Sequence, residues 1–277
     1  MRSSTRESAT SKRPAARRRH LTPSARVGAA VLVVIALAAG APWIFTRASP
    51  DQVDILARLA PPSHAHPLGT DNIGRDLLAR LVHGARISLT VALISVGGAV
   101  CIGVTLGLLA GYFGGWTESV VMRIVDVFLA FPAILLALAL VAVLGAGVTS
   151  VVTALTLVFW TQYARVVRAT ALAEKQKVYV EAARAIGADS GRIVIRHILP
   201  NILSPVIILA TLGSFLGMGV QPPAPSWGWT LAFGTRYLRD APHIATFSGL
   251  AIMLTVLGFN LLGDGVRDML DPRFRPQ

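Results

Sequence analysis

The sequence predicts an all-α protein that crosses a membrane several times. Of its 277 residues, 53% are hydrophobic and only 14% are charged, and the mean hydropathy is +0.61. This composition argues against a soluble domain, and uncharged runs long enough to cross a bilayer recur along the chain. The net charge of +12 raises the question of nucleic acid. Because the apolar runs outweigh the charges, we interpret the chain as a basic membrane protein without a nucleic-acid partner.

Five uncharged stretches reach the roughly 20 residues that a helix needs to cross the hydrocarbon. They are residues 27–46, 87–117, 127–164, 197–235 and 241–263. The third is too long for one helix, and the small residues 145–150 divide it into two. The fourth contains the Pro-rich segment 221–228, which cannot continue a helix, so it provides one span over 201–220 and then a loop. The pattern therefore predicts six spans.

These spans divide the chain into five segments. We predict a disordered basic tail over 1–26, a first transmembrane helix over 27–46, an outer loop with a short helix over 47–86, a core of five transmembrane helices over 87–263, and a C-terminal tail over 264–277. If both termini are cytoplasmic, nineteen of the 26 Lys and Arg residues lie inside, as the positive-inside rule expects. The tail then also lies near anionic lipid headgroups.

The first apolar stretch is an uncleaved anchor in this interpretation. It is too long for the usual core of a signal peptide. Pro42 follows the small residues 39–41 and disfavours cleavage there.

The predicted inner loop, residues 165–200, is long and patterned. Residues 178–186 read as a short helix ended by Gly187, the residue best suited to a left-handed C-cap. Asp189 or Ser190 can then cap a second helix that runs towards Pro200. Spacing alone fits two interpretations equally, a knob that docks on a partner or an amphipathic loop on the lipid surface.

The surface of such a knob would carry small side chains. Ala182 and Ala183 would let a partner approach the backbone closely, and Glu181 and Arg184 would place charges at the rim. These residues are the strongest candidates for a contact site on the inner side.

The outer loop contains a second patterned stretch. Thr70 or Asp71 can cap a helix in which Asp76 and Arg80 stand at i, i+4, an acid-before-base order that favours an ion pair. His64 and His66 read as a solvated pair rather than as metal ligands.

Three features near the predicted spans have a local interpretation. Asp126 could relay protons, but Arg123 three residues before it makes an ion pair at the membrane surface the better interpretation. Pro132 is expected to kink the same helix. Trp227 and Trp229 suit an interfacial aromatic belt.

Enzymatic chemistry is not indicated. The chain has no phosphate-binding loop, no cluster with metal-ligand spacing and no nucleophile elbow. We therefore expect no catalytic residues, no metal and no cofactor in this chain.

Four stretches resemble one protein family. Glu181-Ala182-Ala183, Gly187 and the following "HILP" resemble the EAA loop of ATP-binding-cassette importer permeases. Residues 66–80, "HPLGTDNIGRDLLAR", closely resemble a stretch of the dipeptide/oligopeptide/nickel branch, in the subunit type that carries it after its first span. Residues 214–228 and 260–273 are also similar to that branch.

The resemblance implies a type I importer permease fold and a set of partners in a bacterial cytoplasmic membrane. These are a second permease, two ABC ATPase subunits that hydrolyse ATP, an extracytoplasmic solute-binding protein, and a short peptide as substrate. The residues implied in ATPase coupling are Glu181, Ala182, Ala183, Arg184, Gly187, Leu199 and Pro200, and those implied in an extracytoplasmic gate are Phe215, Gln221, Pro222, Pro223 and Trp227.

One departure from the family pattern leaves alternatives open. The branch has about three further helical turns before "SFLG", where this chain has only residues 201–213. Either the fifth span is rebuilt or the outer gate is altered. Nickel or another small solute remains possible as substrate. Two other classes of protein also stay open. One is an ion-gradient-driven transporter that uses Asp126, and the other is a membrane scaffold that recruits a soluble ATPase for signalling.

Overall fold

The computed structural model describes residues 22–203, residue 206 and residues 225–270, with side chains up to residue 265. Within these ranges the chain forms helices and loops, with one isolated antiparallel bridge between Thr70 and Asp76. The α-helices are α1 Pro23–Gly40, α2 Leu77–Phe113, α3 Gly115–Leu129, α4 Ala133–Leu144, α5 Val148–Lys175, α6 Val178–Ala185, α7 Ser190–Ile193, α8 Trp227–Gly234 and α9 Pro242–Leu270. The predicted all-α class is confirmed.

Four of these helices, α1, α2, α5 and α9, are long and apolar enough to cross a membrane. Together α3 and α4 would form a fifth span, bent by 88° at their junction. Most of the predicted span over 201–220 lies outside the described residues. The multi-pass architecture is therefore supported, and the count of six spans stays a prediction.

The sharp bend between α3 and α4 follows from Pro132, which stands at the N-cap of α4. Proline has no backbone N–H to donate and its ring clashes with the preceding turn, so α3 ends at Leu129. The kink predicted at this residue is confirmed. The predicted division of the long apolar stretch is also confirmed, because α4 ends at Leu144 with Gly145 (φ 88°) as its C-cap, and α5 begins after Gly147 (φ 154°).

The first helix is shifted relative to its prediction over 27–46. It begins at Pro23, where the Thr22 hydroxyl accepts a hydrogen bond from the Ala25 amide, and it ends at Gly40. The reason is local, since proline suits the first turn of a helix and Pro42 prevents its continuation. A short 3₁₀ helix, Pro42–Ile44, follows instead.

The outer loop differs from its prediction in two respects. Neither Thr70 nor Asp71 caps a helix, because Asp76 caps α2 by accepting a hydrogen bond from the Ala79 amide at 2.8 Å. The helix is also not a separate short one. It continues from Leu77 past residue 86 to Phe113, since no proline interrupts it.

The two longest spans, α2 and α5, pack closely because glycines on α2 let the backbones approach. A Cβ on Gly103 would lie 2.5 Å from the Tyr163 Cβ, and one on Gly107 would lie 2.6 Å from the Ala164 carbonyl oxygen. Glycines further along α2 meet residues further along α5, so the helices run parallel. Small residues at four-residue spacing are a common basis of helix association in membranes. We infer that α2 and α5 form one rigid unit.

Candidate functional site

The inner loop consists of the last turns of α5 followed by two short helices that meet at a glycine. At the end of α6, the Ala188 amide donates to the Ala183 carbonyl at 3.0 Å and the Gly187 amide donates to the Arg184 carbonyl at 2.9 Å. This pair of bonds with Gly187 at φ 83° is a Schellman C-cap, as predicted. Of the two candidates for the next cap, Asp189 is the residue used, because its carboxylate accepts from the Arg192 amide at 2.9 Å.

The exposed surface of α6 carries charged, small and apolar side chains, with Val178 78% exposed among the last. Glu181, Ala182, Arg184 and Gly187 are exposed. Ala183 was predicted on the same surface, but it is only 6% exposed because it packs in the main core cluster. A shallow groove of about 470 Å³ runs beside this face, lined by residues that include Ala182, Gly187 and Arg196.

The end of the inner loop also differs from its prediction. Pro200 was expected to mark a boundary, yet helical backbone continues past it to Leu203. A π-helix, Val194–Ile198, directly precedes Leu199 and Pro200. The wider π-turn accommodates a proline whose ring would clash in an α-helix. Leu199 packs against the main core cluster, while Pro200 is exposed.

A buried carboxylate fixes the base of α6 to its neighbours. Glu174, 7% exposed, accepts hydrogen bonds from the Lys177 ammonium and the Tyr179 hydroxyl. The Asn201 amide donates to the Tyr179 hydroxyl at 3.1 Å and to the His197 carbonyl at 2.7 Å. Burial, followed by the neighbouring carboxylate, raises the pKa of Tyr179 to about 12. This hydroxyl therefore stays a donor at neutral pH.

Two ion pairs connect α3 to α5 beside a cleft of about 630 Å³. Arg165 donates to Asp126 at 2.8 Å, and Arg168 pairs with Glu118. The prediction that Asp126 pairs with Arg123 is wrong. The packing of α3 against α5 brings a guanidinium from another helix to this carboxylate instead.

A second carboxylate, Asp71, organises the outer loop. It accepts from the amides of Ile73 and Arg75, both at 3.0 Å, and from the Arg75 guanidinium at 2.7 Å. Arg80 is 2% exposed and lies 3.7 Å from Asp71 and 3.8 Å from Asp51. The pair expected between Asp76 and Arg80 does not form, because the Asp76 carboxylate caps α2.

Histidines connect the outer loop to α2 and α9. His66 Nδ1 lies 3.0 Å from Asp76 Oδ2, so His66 is not the solvated residue that was expected. His243 Nε2 lies 3.1 Å from the Thr70 carbonyl oxygen. A Cβ on Gly69 would lie 2.7 Å from the His243 ring, so this position requires glycine.

Trp227 is the only gate candidate among the described residues, because Phe215, Gln221, Pro222 and Pro223 lie outside them. It is not an interfacial tryptophan. Its side chain is 4% exposed, and its Nε1 donates to the Leu81 carbonyl at 2.7 Å. The start of α8 is thereby fixed to the start of α2.

Reasoning from the sequence missed the residues at the base of α6. The i, i+3 spacing of Glu174 and Lys177 is a signal that could have indicated their ion pair. Tyr179 and Asn201 gave no such signal, because they meet through the tertiary fold.

Several long apolar helices, joined by loops that include two short helices, define a multi-pass membrane protein. The chain belongs to the family described as "Binding-protein-dependent transport system inner membrane component", whose model matches residues 103–276. It is therefore an inner-membrane permease subunit, as the motifs indicated.

Curated relatives align over most of the chain. A glutathione transport system permease protein of Pectobacterium atrosepticum is 44% identical over 93% of this chain and 89% of its own length. A dipeptide transport system permease protein of Alkalihalophilus pseudofirmus is 43% identical over 84% of this chain and 80% of its own length. A putative peptide transport system permease protein of Brucella suis biovar 1 is 42% identical over 94% of this chain and 91% of its own length. The identification of the peptide-permease branch is confirmed.

Proposed function

We propose that this chain is a permease subunit of an ATP-driven importer of short peptides. It works with a second permease subunit, two ATPase subunits and an extracytoplasmic solute-binding protein. The family supports the membrane and binding-protein parts of this proposal. The substrate class follows the relatives, which are named for the transport of glutathione, dipeptides and peptides.

The observation that carries the proposal is the exposed face of α6. Ala182 leaves room for a close backbone approach between the exposed charges of Glu181 and Arg184, on a helix whose other face is anchored in the core by Val180 and Ala183. A groove on an ATPase subunit can approach such a face closely. Because α6 is anchored in the core, movement of the bound ATPase would displace the core helices as well. ATP-driven closure of the ATPases would move α6 as a rigid lever and open the outer side, and hydrolysis would reset it.

Uptake by the assembled complex tests this function. Proteoliposomes holding the permeases and ATPases, supplied with the solute-binding protein, should accumulate labelled dialanine or glutathione only with ATP inside. Nickel ions serve as the competing probe, and accumulation of nickel alone would replace the peptide proposal. Absence of flux for all three probes would favour the scaffold alternative, and normal peptide flux would contradict an altered outer gate.

The gradient-driven alternative is tested in the same vesicles. It requires Asp126 to exchange protons, but this carboxylate is paired with Arg165 at 2.8 Å. We expect Asp126→Asn to keep ATP-dependent uptake, and we expect dissipation of the proton gradient to leave uptake unchanged. Uptake that survives ATP depletion but collapses with the proton gradient would contradict the proposal.

A further inference from the structure

Tyr112 stands where α2 meets the inner loop. It is the second-last residue of α2, is 5% exposed, and belongs to the main core cluster. That cluster also contains Val180 and Ala183 of α6. The end of α2 is therefore in the same packed unit as the helix proposed to receive the ATPase.

Two cations lie at the Tyr112 ring, and each comes from a different helix. Lys175 Nζ, at the end of α5, is 5.7 Å from the ring centroid, and the Arg184 guanidinium carbon of α6 is 5.6 Å from it. Both distances are in the range where an aromatic ring attracts a cation. Lys175 Nζ also donates to the Tyr112 carbonyl at 2.6 Å, which satisfies a carbonyl in the last turn of α2.

This arrangement gives α6 a direct contact with α2. Arg184 is on the segment Glu181–Gly187, the proposed lever, and its contact with Tyr112 bypasses the two-residue connection between α5 and α6. The adjacent Gly111 packs so closely that a Cβ there would lie 2.7 Å from the Ala171 Cβ of α5. A displacement of α6 at Arg184 is thus received by α2 and α5 together.

The far end of α2 holds the outer loop and α8. A helix of 37 residues is about 55 Å long. At its start, Asp76 contacts His66, and the Leu81 carbonyl accepts the Trp227 indole N–H. α2 is therefore a continuous rod between the inner loop and the outer loop.

We propose that Tyr112 is a positioning residue through which the inner loop moves α2, and that the Arg184 and Lys175 cations held on its ring make this contact rigid. This inference rests on the proposed function, because it assumes that an ATPase displaces α6. In this proposal Tyr112 transmits the movement of α6 to α2, and the exposed face of α6 binds the ATPase.

The test measures how strongly substrate-loaded binding protein, added outside, stimulates ATP hydrolysis by the assembled complex in nanodiscs. Tyr112→Leu removes the ring and should lower this stimulation about fivefold, in keeping with the loss of cation–π contacts. Tyr112→Phe keeps the ring and should restore it. Trp116→Leu is the control, since Trp116 is 81% exposed and the described residues place neither a cation nor a second ring against it, whereas the Phe113 ring packs on Tyr112.

A second pair of variants keeps the test valid if Tyr112→Leu does not fold. Lys175→Met retains the side-chain stem but loses the cation, and it should lower the stimulation, while Lys175→Arg should preserve it. ATPase binding to the permease, measured by titration, should be unchanged in all of these variants. Wild-type stimulation in both Tyr112→Leu and Lys175→Met, or loss of ATPase binding in either, would overturn the proposal.

The two proposals fail differently in this experiment. If binding protein stimulated ATP hydrolysis but the complex took up neither dialanine nor glutathione, the proposed substrate class would be wrong. The role of Tyr112 could still be tested. A wild-type complex that binds no ATPase would remove the proposed function, and with it the premise of the inference.

Discussion

At the scale of single residues, Tyr179 fixes the base of α6. Its hydroxyl donates to the buried Glu174 carboxylate and accepts from Asn201. Tyr179→Phe leaves that carboxylate with one donor fewer, so we expect a loss of about 1–2 kcal/mol in stability. Thermal unfolding of the purified wild type and variant measures this loss of stability. Tyr237→Phe is the control, because the described residues provide no hydrogen bond for its hydroxyl, and an equal loss there would contradict the prediction.

The pH dependence of this effect follows from the pKa of Tyr179, which burial and Glu174 raise from 10.0 to about 12. A group whose pKa is raised on folding stabilises the fold fully below its unfolded pKa and loses that contribution as pH rises through the folded value. The deficit of Tyr179→Phe should therefore be the same at pH 7 and pH 9. A deficit that shrinks between these two values would contradict the assigned hydrogen bond.

At the scale of elements, the parallel packing of α2 and α5 depends on glycine. A Cβ at position 107 would lie 2.6 Å from the Ala164 carbonyl oxygen and 2.8 Å from the Val167 Cβ. We expect Gly107→Ala to lower stability by about 1–3 kcal/mol, because backbone must shift to admit the methyl group. Gly97→Ala is a matched control on the same helix, where no atom lies within 4 Å of the added Cβ. Equal melting temperatures for the two variants would show that the helices are not in close contact.

The turn after α6 is a second element whose geometry requires glycine. Gly187 has φ 83°, and no atom lies within 4 Å of an added Cβ, so a substitution acts through backbone strain alone. A β-branched residue is strongly disfavoured at such angles, whereas Asn tolerates them. We expect Gly187→Val to uncouple ATP hydrolysis from uptake and Gly187→Asn to retain coupling. If Gly187→Val preserved both uptake and ATPase stimulation, the lever would be assigned wrongly.

These elements also show what the sequence can reveal. The caps at Gly187 and Gly145 and the bend at Pro132 were predictable, because glycine and proline act on their own turn of backbone. The partner of Asp126 was not, because Arg165 is 39 positions away in sequence. Likewise Trp227 reads as interfacial by its residue type, and only the fold brings it to the Leu81 carbonyl, 146 positions away.

At the scale of the whole molecule, the distribution of Lys and Arg predicts which ends of the helices face the cytoplasm. Leu56 is 99% exposed in the outer loop, and Trp116 is 81% exposed in the first turn of α3. In a Cys101→Ala background, which removes the single cysteine, we expect Leu56→Cys to react with a membrane-impermeant maleimide in intact cells.

Trp116→Cys should react only after the membrane is permeabilised, because the 37-residue helix α2 separates the two sites. A chain that failed to insert would stay unlabelled at both positions in intact cells, so labelling of Leu56→Cys there controls for misfolding. The reverse pattern would place the inner loop outside the cell. There it could meet neither ATP nor an ATPase, so this outcome would overturn the orientation, the proposed coupling face and the role of Tyr112 together.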